Sequence, residues 1–348
     1  MNRASSKRLA FSSTFLGGVK PDSFKSASFK CTNAPSFVRF RASAAVSDKK
    51  KTKKVGWIGV GIMGMGMANN LAGADHEGLV VWNRSKDRCE ELKEKLSTSS
   101  IDVASSPKEV VEECDTTFLM LSTPEAVRDV LEKKDGVLDG CNEGKAIVDC
   151  STISVEDAKR NSSLVNDTGA LFLEAPVSGS KVPAEQGKLI FLCAGNKKVY
   201  TDISSYLDVM GKQKYYYGEE VGTGTKMKLI VNAIMGTMLA SLAEGITLAE
   251  KCGVEADQLV EVLSHGAMAN PMFSLKGPKM SARVQDYAVN FPLEHAQKDI
   301  RLASLLADEL GVGTPVTAAA NECYKTAKGL GHSRSDFAAV IESLRLKS

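Results

Sequence analysis

Three glycines constrain this chain more than any other feature. Gly59, Gly61 and Gly64 form G-x-G-x-x-G directly after a short apolar run at residues 55–58 and before a helical stretch at 65–72. Each glycine answers a separate demand. Gly59 permits a tight turn, Gly61 lets backbone approach a pyrophosphate, and Gly64 allows a helix to pack closely on the strand. The free N–H groups and positive dipole end of that helix suit phosphate, and Ile62 and Met63 lie in the same loop. The expectation is a dinucleotide site at the start of a strand–helix–strand unit.

The next strand, 78–82, ends where the reader of the adenine ribose belongs, and that place holds Asn83-Arg84-Ser85. No acid is available there to grip a 2′-hydroxyl. Arg84 is either a solvated loop arginine or a planar fork for a 2′-phosphate, the second option selecting NADPH (NADP+) over NAD. Strands at 116–121, 146–150, 170–173 and 189–192 alternate with helices at 90–96 and 125–132. This pattern predicts an α/β Rossmann domain, doubly wound with a mostly parallel sheet, over residues 54–221. Two of its strands run into Ser122-Thr123-Pro124 and Ser151-Thr152. Ligands of open α/β sheets lie beyond the carboxyl ends of strands, so these hydroxyls either touch the nicotinamide half of a cofactor or cap the next helix. Ser154 reads as a cap and Thr152 as a cofactor contact.

No strand pattern returns after Tyr217, so residues 222–348 read as an all-α domain joined by a long helix at 225–251. Further helices are expected at 257–263, 292–310 and 316–328, with Gly311 or Gly313, and Gly329, as their C-caps. Lys228 and Asn232 lie four apart on the long helix and share a face. Several of their neighbours are apolar, and a lysine in such surroundings has a lowered pKa and can donate a proton near neutrality. Lys226 sits about 200° away around the axis and reads as a surface lysine. Upstream, the small residues after Pro176 leave backbone N–H groups uncovered, as either a carboxylate cradle or a plain turn.

Charge separates a leader from a body. Residues 1–54 carry 13 Lys/Arg against two acids, so the remainder holds 31 basic and 40 acidic side chains, a net charge of −9. A body of that sign argues against nucleic acid as a partner. Residues 1–53 are rich in Ser and Lys/Arg, contain no Glu and lack a continuous apolar segment, which is transit-peptide composition. They read as a transit peptide and linker addressed to an organelle, with the plastid favoured over the mitochondrion. The apolar stretch at 229–243 is interrupted by Asn232, Thr237 and Ser241, so a buried helix is expected and no membrane partner. Eight scattered cysteines form no C-x-x-C pair and none stands at zinc spacing from a histidine. They read as small buried apolar residues, with no metal site.

Taken together, four ordered motifs resemble the β-hydroxyacid dehydrogenase family across about residues 54–346. They are the glycine loop, Ala175-Pro176-Val177-Ser178-Gly179, the set Gly222, Gly224, Lys228 and Asn232, and Gln297-Lys298-Asp299. The resemblance implies a catalytic Lys228, with substrate held by Asn232 and its carboxylate by Ser178, Gly179 and Ser180. It implies cofactor contacts from Thr152 and Lys298, ordering of the site by Asp299, and closure of the pocket by Phe291. Read from the helix alone, Lys298-Asp299 would be an exposed pair. Family members often carry an acid before Ala175 and a second glycine after Gly179; Glu174 keeps the acid, and Ser180 replaces the glycine. The segment at 171–181 and the leader resemble the plant organellar branch, which implies NADPH-dependent reduction of a small carboxylate-bearing aldehyde, glyoxylate or succinic semialdehyde. The alternatives are an NAD-dependent 3-hydroxyisobutyrate dehydrogenase and, remotely, a non-catalytic scaffold. A homo-oligomer through the helical domain is expected, because the long helix is apolar around much of its circumference.

Overall fold

The first apolar run becomes β1 (Val55–Ile58), buried at all four positions. A strand covered on both faces needs no polar alternation, which is why it reads as a continuous apolar run. The computed structural model describes residues 54–96, 101–284 and 287–345; the transit-peptide expectation for residues 1–53 lies outside them. After β1 come α1 (Gly64–Ala72), β2 (Leu79–Trp82), α2 (Asp87–Lys95), β3 (Ile101–Val103), α3 (Pro107–Glu113), β4 (Thr116–Leu119), α4 (Pro124–Glu132), α5 (Val137–Gly140), β5 (Ala146–Asp149), α6 (Val155–Asp167) and β6 (Leu171–Glu174). The six strands lie in the order β3-β2-β1-β4-β5-β6, and every pairing among them is parallel. This is the doubly wound arrangement the motif called for.

The chain then adds β7 (Val177–Ser178), α7 (Lys181–Glu185), β8 (Leu189–Gly195), α8 (Lys197–Asp202), α9 (Ser204–Met210) and β9 (Gly211–Tyr216). Strand β8 pairs antiparallel with β6 and β7, and β9 runs parallel to β8. Consecutive residues of β1 serve opposite faces. Trp57 packs with Met67, Leu71 and Phe118, and Ile58 packs with Val80, Val110 and Leu119. The helix starts above the sheet are fixed by side-chain caps. Ser106, Thr123 and Ser154 accept from the N–H of Glu109, Ala126 and Asp157 at 3.2, 3.2 and 3.0 Å.

The rest is helical: α10 (Thr223–Cys252), α11 (Ala256–His265), α12 (Pro271–Ser281), α13 (Leu293–Glu309) and α14 (Pro315–Ala327), closed by a 3₁₀ segment, Phe337–Ser343. By length and composition alone α10 could cross a membrane. Here Leu239, Ala243 and Ile246 of α10 enter a core shared with Ile300 of α13 and Tyr324 of α14. Helix α12 is not among the helices expected from the sequence, and it carries Gly277-Pro278, a pair that ordinarily interrupts a helix. The helix runs through both, and Gly277 admits Val260 of α11 so closely that a Cβ would stand 2.7 Å from its Cγ1. The cap assignments are partly corrected. Gly311 takes φ +65 after α13. Gly329 caps nothing: α14 passes into a π turn, Lys328–His332, and Gly331 adopts φ +95.

Among the described residues the seven cysteines are free, and four of them, Cys89, Cys114, Cys150 and Cys193, are buried. Burial pushes the thiol of Cys89 up to about 11 and those of Cys114 and Cys193 up to about 12. These buried thiols stay protonated and behave as small apolar residues; Cys252, which is exposed, and Cys141 and Cys323, which are half-buried, depart from the reading of cysteines as buried residues.

Candidate active site

The glycine loop leaves β1 through Gly59 at φ +103, where a Cβ would stand 2.3 Å from the Met120 carbonyl oxygen. The turn is held from two sides. The indole Nε1–H of buried Trp57 donates to the Gly59 carbonyl at 3.0 Å, and Val60 N–H donates to Asn83 Oδ1 at 3.0 Å. Above Gly61 a Cβ would meet nothing within 4 Å, so this backbone faces open space. At Gly64 a Cβ would stand 1.9 Å from the Gly59 carbonyl oxygen, so the tight contact made there is with the turn itself. Helix α1 begins with no side-chain cap and no acid in its first turn. Met65 N–H is taken by the Gly61 carbonyl at 3.0 Å, and no side chain caps the N–H groups ahead of it, which leaves the positive end of the helix to an anion. These features fit a dinucleotide pyrophosphate lying over Gly61, Ile62 and Met63.

At the end of β2, Asn83 is committed to the scaffold: it accepts from Val60 and donates to the Ser85 carbonyl at 3.0 Å. It shapes the loop with its side chain instead of offering that side chain to a ligand. Arg84 and Ser85 are exposed. On the far side of β1, Thr123 spends its hydroxyl as a cap and Pro124 opens α4. Ser151, expected to face a ligand, is 2% exposed and accepts from Leu121 N–H at 3.0 Å, because the loops after β4 and β5 brace one another.

The groups meant to act on a substrate converge from several elements. On α10, Lys228 Nζ donates to Asn232 Oδ1 at 3.0 Å, and Asn232 Nδ2 donates to Asp299 Oδ2 at 2.6 Å. Lys298 Nζ stands 3.2 Å from Asp299 Oδ1 and donates to the carbonyls of Ser122 at 3.0 Å and Thr152 at 2.5 Å. Three consecutive residues of α13 thus face three ways. Gln297 bonds Asn321 of α14, Lys298 reaches the carboxyl ends of β4 and β5, and Asp299 meets α10. The reading of Lys298-Asp299 as an exposed pair is overturned, since Asp299 is 2% exposed. Burial lowers the Lys228 ammonium to about 8, against the opposing pull of the Asp299 carboxylate.

Family-level comparison agrees with this geometry. Residues 54–218 match the model of the NAD binding domain of 6-phosphogluconate dehydrogenase. Residues 222–344 match the model described as NAD-binding of NADP-dependent 3-hydroxyisobutyrate dehydrogenase. The chain belongs to the β-hydroxyacid dehydrogenase family. It is 51% identical over 300 residues to glyoxylate/succinic semialdehyde reductase 2, chloroplastic, of Arabidopsis thaliana, covering 86% of this chain and 81% of that one. It is 46% identical to glyoxylate/succinic semialdehyde reductase 1 of the same plant, covering 84% and 98%. Among solved structures, 3-hydroxyisobutyrate dehydrogenase from Salmonella typhimurium superposes with a TM-score of 0.75 at 27% identity, covering 83% and 99%. As in its family, the chain is a nicotinamide-dinucleotide-dependent oxidoreductase.

The segment expected to cradle a carboxylate folds as β7 and the turn after it. Ser178 and Ser180 are half-buried, and Gly179, at φ +141, is exposed. Ser180 opens α7 with no capping bond from its side chain. The backbone N–H of Lys181 meets the Asn290 carbonyl at 3.4 Å, which brings the segment bearing Phe291 beside the cradle. That segment is pinned from below. Asp336 accepts from the N–H of Asn290 and Phe291 at 2.9 and 3.1 Å and pairs with Lys276 at 2.6 Å, and both charges are buried. Phe291 packs edge-on against Phe337 at 5.3 Å. Sequence reasoning missed Asp336 and Lys276, which stand 60 residues apart, and it missed the bonding role of Asn83. None of the three has a local pattern that announces it.

Proposed function

We propose that the protein reduces small aldehydes bearing a carboxylate with NADPH, taking glyoxylate to glycolate and succinic semialdehyde to 4-hydroxybutyrate. The observation that carries this reading is the buried Lys228, held by Asn232 and lowered to about 8. Two reductases of these aldehydes, at 51% and 46% identity, support the substrate class. The exposed Arg84 after β2 supports NADPH, since its guanidinium matches a 2′-phosphate and no acid competes there. Bound NADPH supplies the hydride. Backbone N–H groups at Ser178, Gly179 and Ser180 hold the substrate carboxylate, and Phe291 covers it. Lys228 donates a hydrogen bond to the carbonyl oxygen and gives up a proton as negative charge develops there. Asn232 accepts from a second Nζ proton and so aims the ammonium, while Asp299 orients Asn232. Lys298 joins the loops at Ser122 and Thr152 beside the nicotinamide.

The same reading includes a homo-oligomer formed by the helical half. Ile230 and Ile234 of α10 are 51% and 56% exposed, and Leu248 is 65% exposed. The basic leader, together with the chloroplastic relative, supports delivery to a plastid. The acidic body supports small molecules over nucleic acid as partners.

The deciding assay follows NADPH and NADH oxidation by the full-length protein with glyoxylate, succinic semialdehyde and a neutral aldehyde of similar size. Rapid NADPH oxidation with the two acids, poor turnover of the neutral aldehyde, and loss of turnover by orders of magnitude in Lys228→Met are expected. Preferred use of NADH in these reductions, with 3-hydroxyisobutyrate oxidised by NAD+ in a parallel assay faster than either aldehyde is reduced, would replace this reading with the 3-hydroxyisobutyrate dehydrogenase one. Near-normal turnover by Lys228→Met would remove the lysine from the mechanism.

A further inference from the structure

Helix α10 begins without a cap of its own. Gly222, at φ +105, precedes it with no side chain to offer, and the first turn holds no acid. The missing acceptor arrives from the sheet. Glu174, the last residue of β6 and 2% exposed, receives Gly222 N–H at 2.7 Å and Gly224 N–H at 2.8 Å on Oε1. Its Oε2 receives Thr225 N–H at 3.3 Å and the Thr225 hydroxyl at 2.6 Å. One carboxylate therefore takes the N–H groups of Gly222, Gly224 and Thr225 at the start of a 30-residue helix and places an acidic group at its positive end. The seat is tight. A Cβ on Gly224 would stand 2.2 Å from the Leu192 carbonyl oxygen of β8, so only glycine lets the helix start lie this close to the sheet.

We infer that Glu174 and Thr225 are positioning residues that set where Lys228 stands relative to the substrate carboxylate. The inference rests on the proposed role of Lys228. Two connections carry it. Lys228 lies three residues after Thr225, less than one turn beyond the anchor, so displacement of the first turn passes directly to Nζ. In the other direction Glu174 is continuous with the cradle, separated from Ser178 by Ala175, Pro176 and Val177. The carboxylate grip and the proton donor thus hang from one buried side chain. The distance between them must match the separation of carboxylate and aldehyde in the substrate. Reaction rates are sensitive to misplacement of about 1 Å at such a site.

The experiment compares wild type, Glu174→Gln, Thr225→Val, Thr225→Ser and Lys228→Met as full-length proteins. NADPH binding is followed by the emission of Trp57 and Trp82, which flank the glycine loop and Arg84, and kcat, KM and melting temperature are measured on each. Thr225→Val keeps the volume and deletes the hydroxyl donor to Oε2, leaving the backbone N–H; Thr225→Ser restores the hydroxyl. NADPH affinity within about twofold of wild type in all five proteins is expected. A kcat lowered about tenfold or more in Thr225→Val and Glu174→Gln, with recovery in Thr225→Ser, supports the anchor. A wild-type kcat in Thr225→Val, with only a lower melting temperature, overturns it and leaves a purely structural cap. If Glu174→Gln does not fold, the two Thr225 variants decide alone. Full activity in Lys228→Met overturns the lysine reading itself, and the positioning role falls with it; an inactive Lys228→Met beside a fully active Thr225→Val overturns the anchor only.

Discussion

Replacing Asp299 by asparagine isolates the electrostatic part of the site from its geometry. Asn232 Nδ2 donates to Asp299 Oδ2 at 2.6 Å, and the amide oxygen of the replacement can accept that same bond, so the aim of Lys228 is preserved. The negative charge that favours the ammonium is lost. Lys228 and the carboxylate are separated by one asparagine amide, about 6–8 Å, and at an effective dielectric near 20 such a pair is worth ~2 kcal/mol, about 1.5 pKa units. Lys298, 3.2 Å from Asp299, also loses its neutralising partner and pushes in the same direction. The lysine should therefore move from about 8 to below neutrality. The assay is kcat/KM for the aldehyde against pH at saturating NADPH. With Lys228 as the proposed proton donor, wild-type kcat/KM is expected to fall as pH rises through about 8. In Asp299→Asn the descending limb should move down by about 1.5 pH units, with a loss of about fourfold at pH 7 and little loss at pH 5.5. An unmoved limb with a uniformly lower rate would show that Asp299 acts through geometry alone, and a limb moved upward would refute the electrostatic argument.

Three other outcomes are expected. Arg84→Asp should raise KM for NADPH about 10–100-fold, the worth of a charge-assisted phosphate contact, and leave KM for NADH near or below wild type. Light scattering should give a dimer or tetramer, and Ile234→Glu, placing a charge on the 56% exposed Ile234, should lower the mass with the fold intact by circular dichroism. Lys228→Met should melt above wild type at pH 7. The folded pKa of Lys228 lies below its ordinary 10.5, so the penalty of burying its charge is fully present below about 8. That penalty, about 3 kcal/mol, is relieved as pH rises from about 8 to 10.5, and the advantage of the variant should vanish across that window.

Six of the nine strands were legible because their signals are local: residues 55–58 read as an apolar run, the glycines follow at once, and β2, β4, β5, β6 and β8 are apolar runs of the same kind. Strands β3 (Ile101–Val103), β7 (Val177–Ser178) and β9 (Gly211–Tyr216) were not expected, the first two being too short to show a period and the third carrying the exposed polar run Lys212-Gln213. Lys228 and Asn232 were legible as a pair because helical spacing alone puts positions four apart on one face. What escaped depends on contacts between distant segments. Asp299 read as exposed because its partner, Asn232, is 67 residues away, and α13 gives no sign that three of its faces are occupied. Glu174 was noticed only as an acid before Ala175, since its four donors lie about 50 residues downstream. Helix α12 was not among the helices expected; it carries Gly277-Pro278, a pair that ordinarily interrupts a helix, and Gly277 lies against Val260 of α11.

The groups that fix Lys228 come from both sides of a single seam between the sheet and the helices. Glu174 holds the start of its helix from the sheet, Asp299 holds Asn232 from α13, and Lys298 returns from α13 to the carbonyls at the ends of β4 and β5. The seam is lined with apolar contacts, where Leu229 of α10 meets Leu302 and Leu306 of α13 with Val155 of α6 packed alongside. Leu229 is the residue next to Lys228. Docking the helical half on the sheet and building the lysine site are therefore the same packing event. A substitution that loosens the apolar seam, Leu302→Ala for instance, leaves a cavity beside the helix that carries Lys228, and it weakens the site without touching any polar group in it. The polar chain alone would be a poor clamp, because its lysines lose hydration when they are buried. Apolar burial supplies the closing force, and the hydrogen bonds fix the alignment of the Lys228 ammonium with Asn232 and Asp299 and of Lys298 with the ends of β4 and β5.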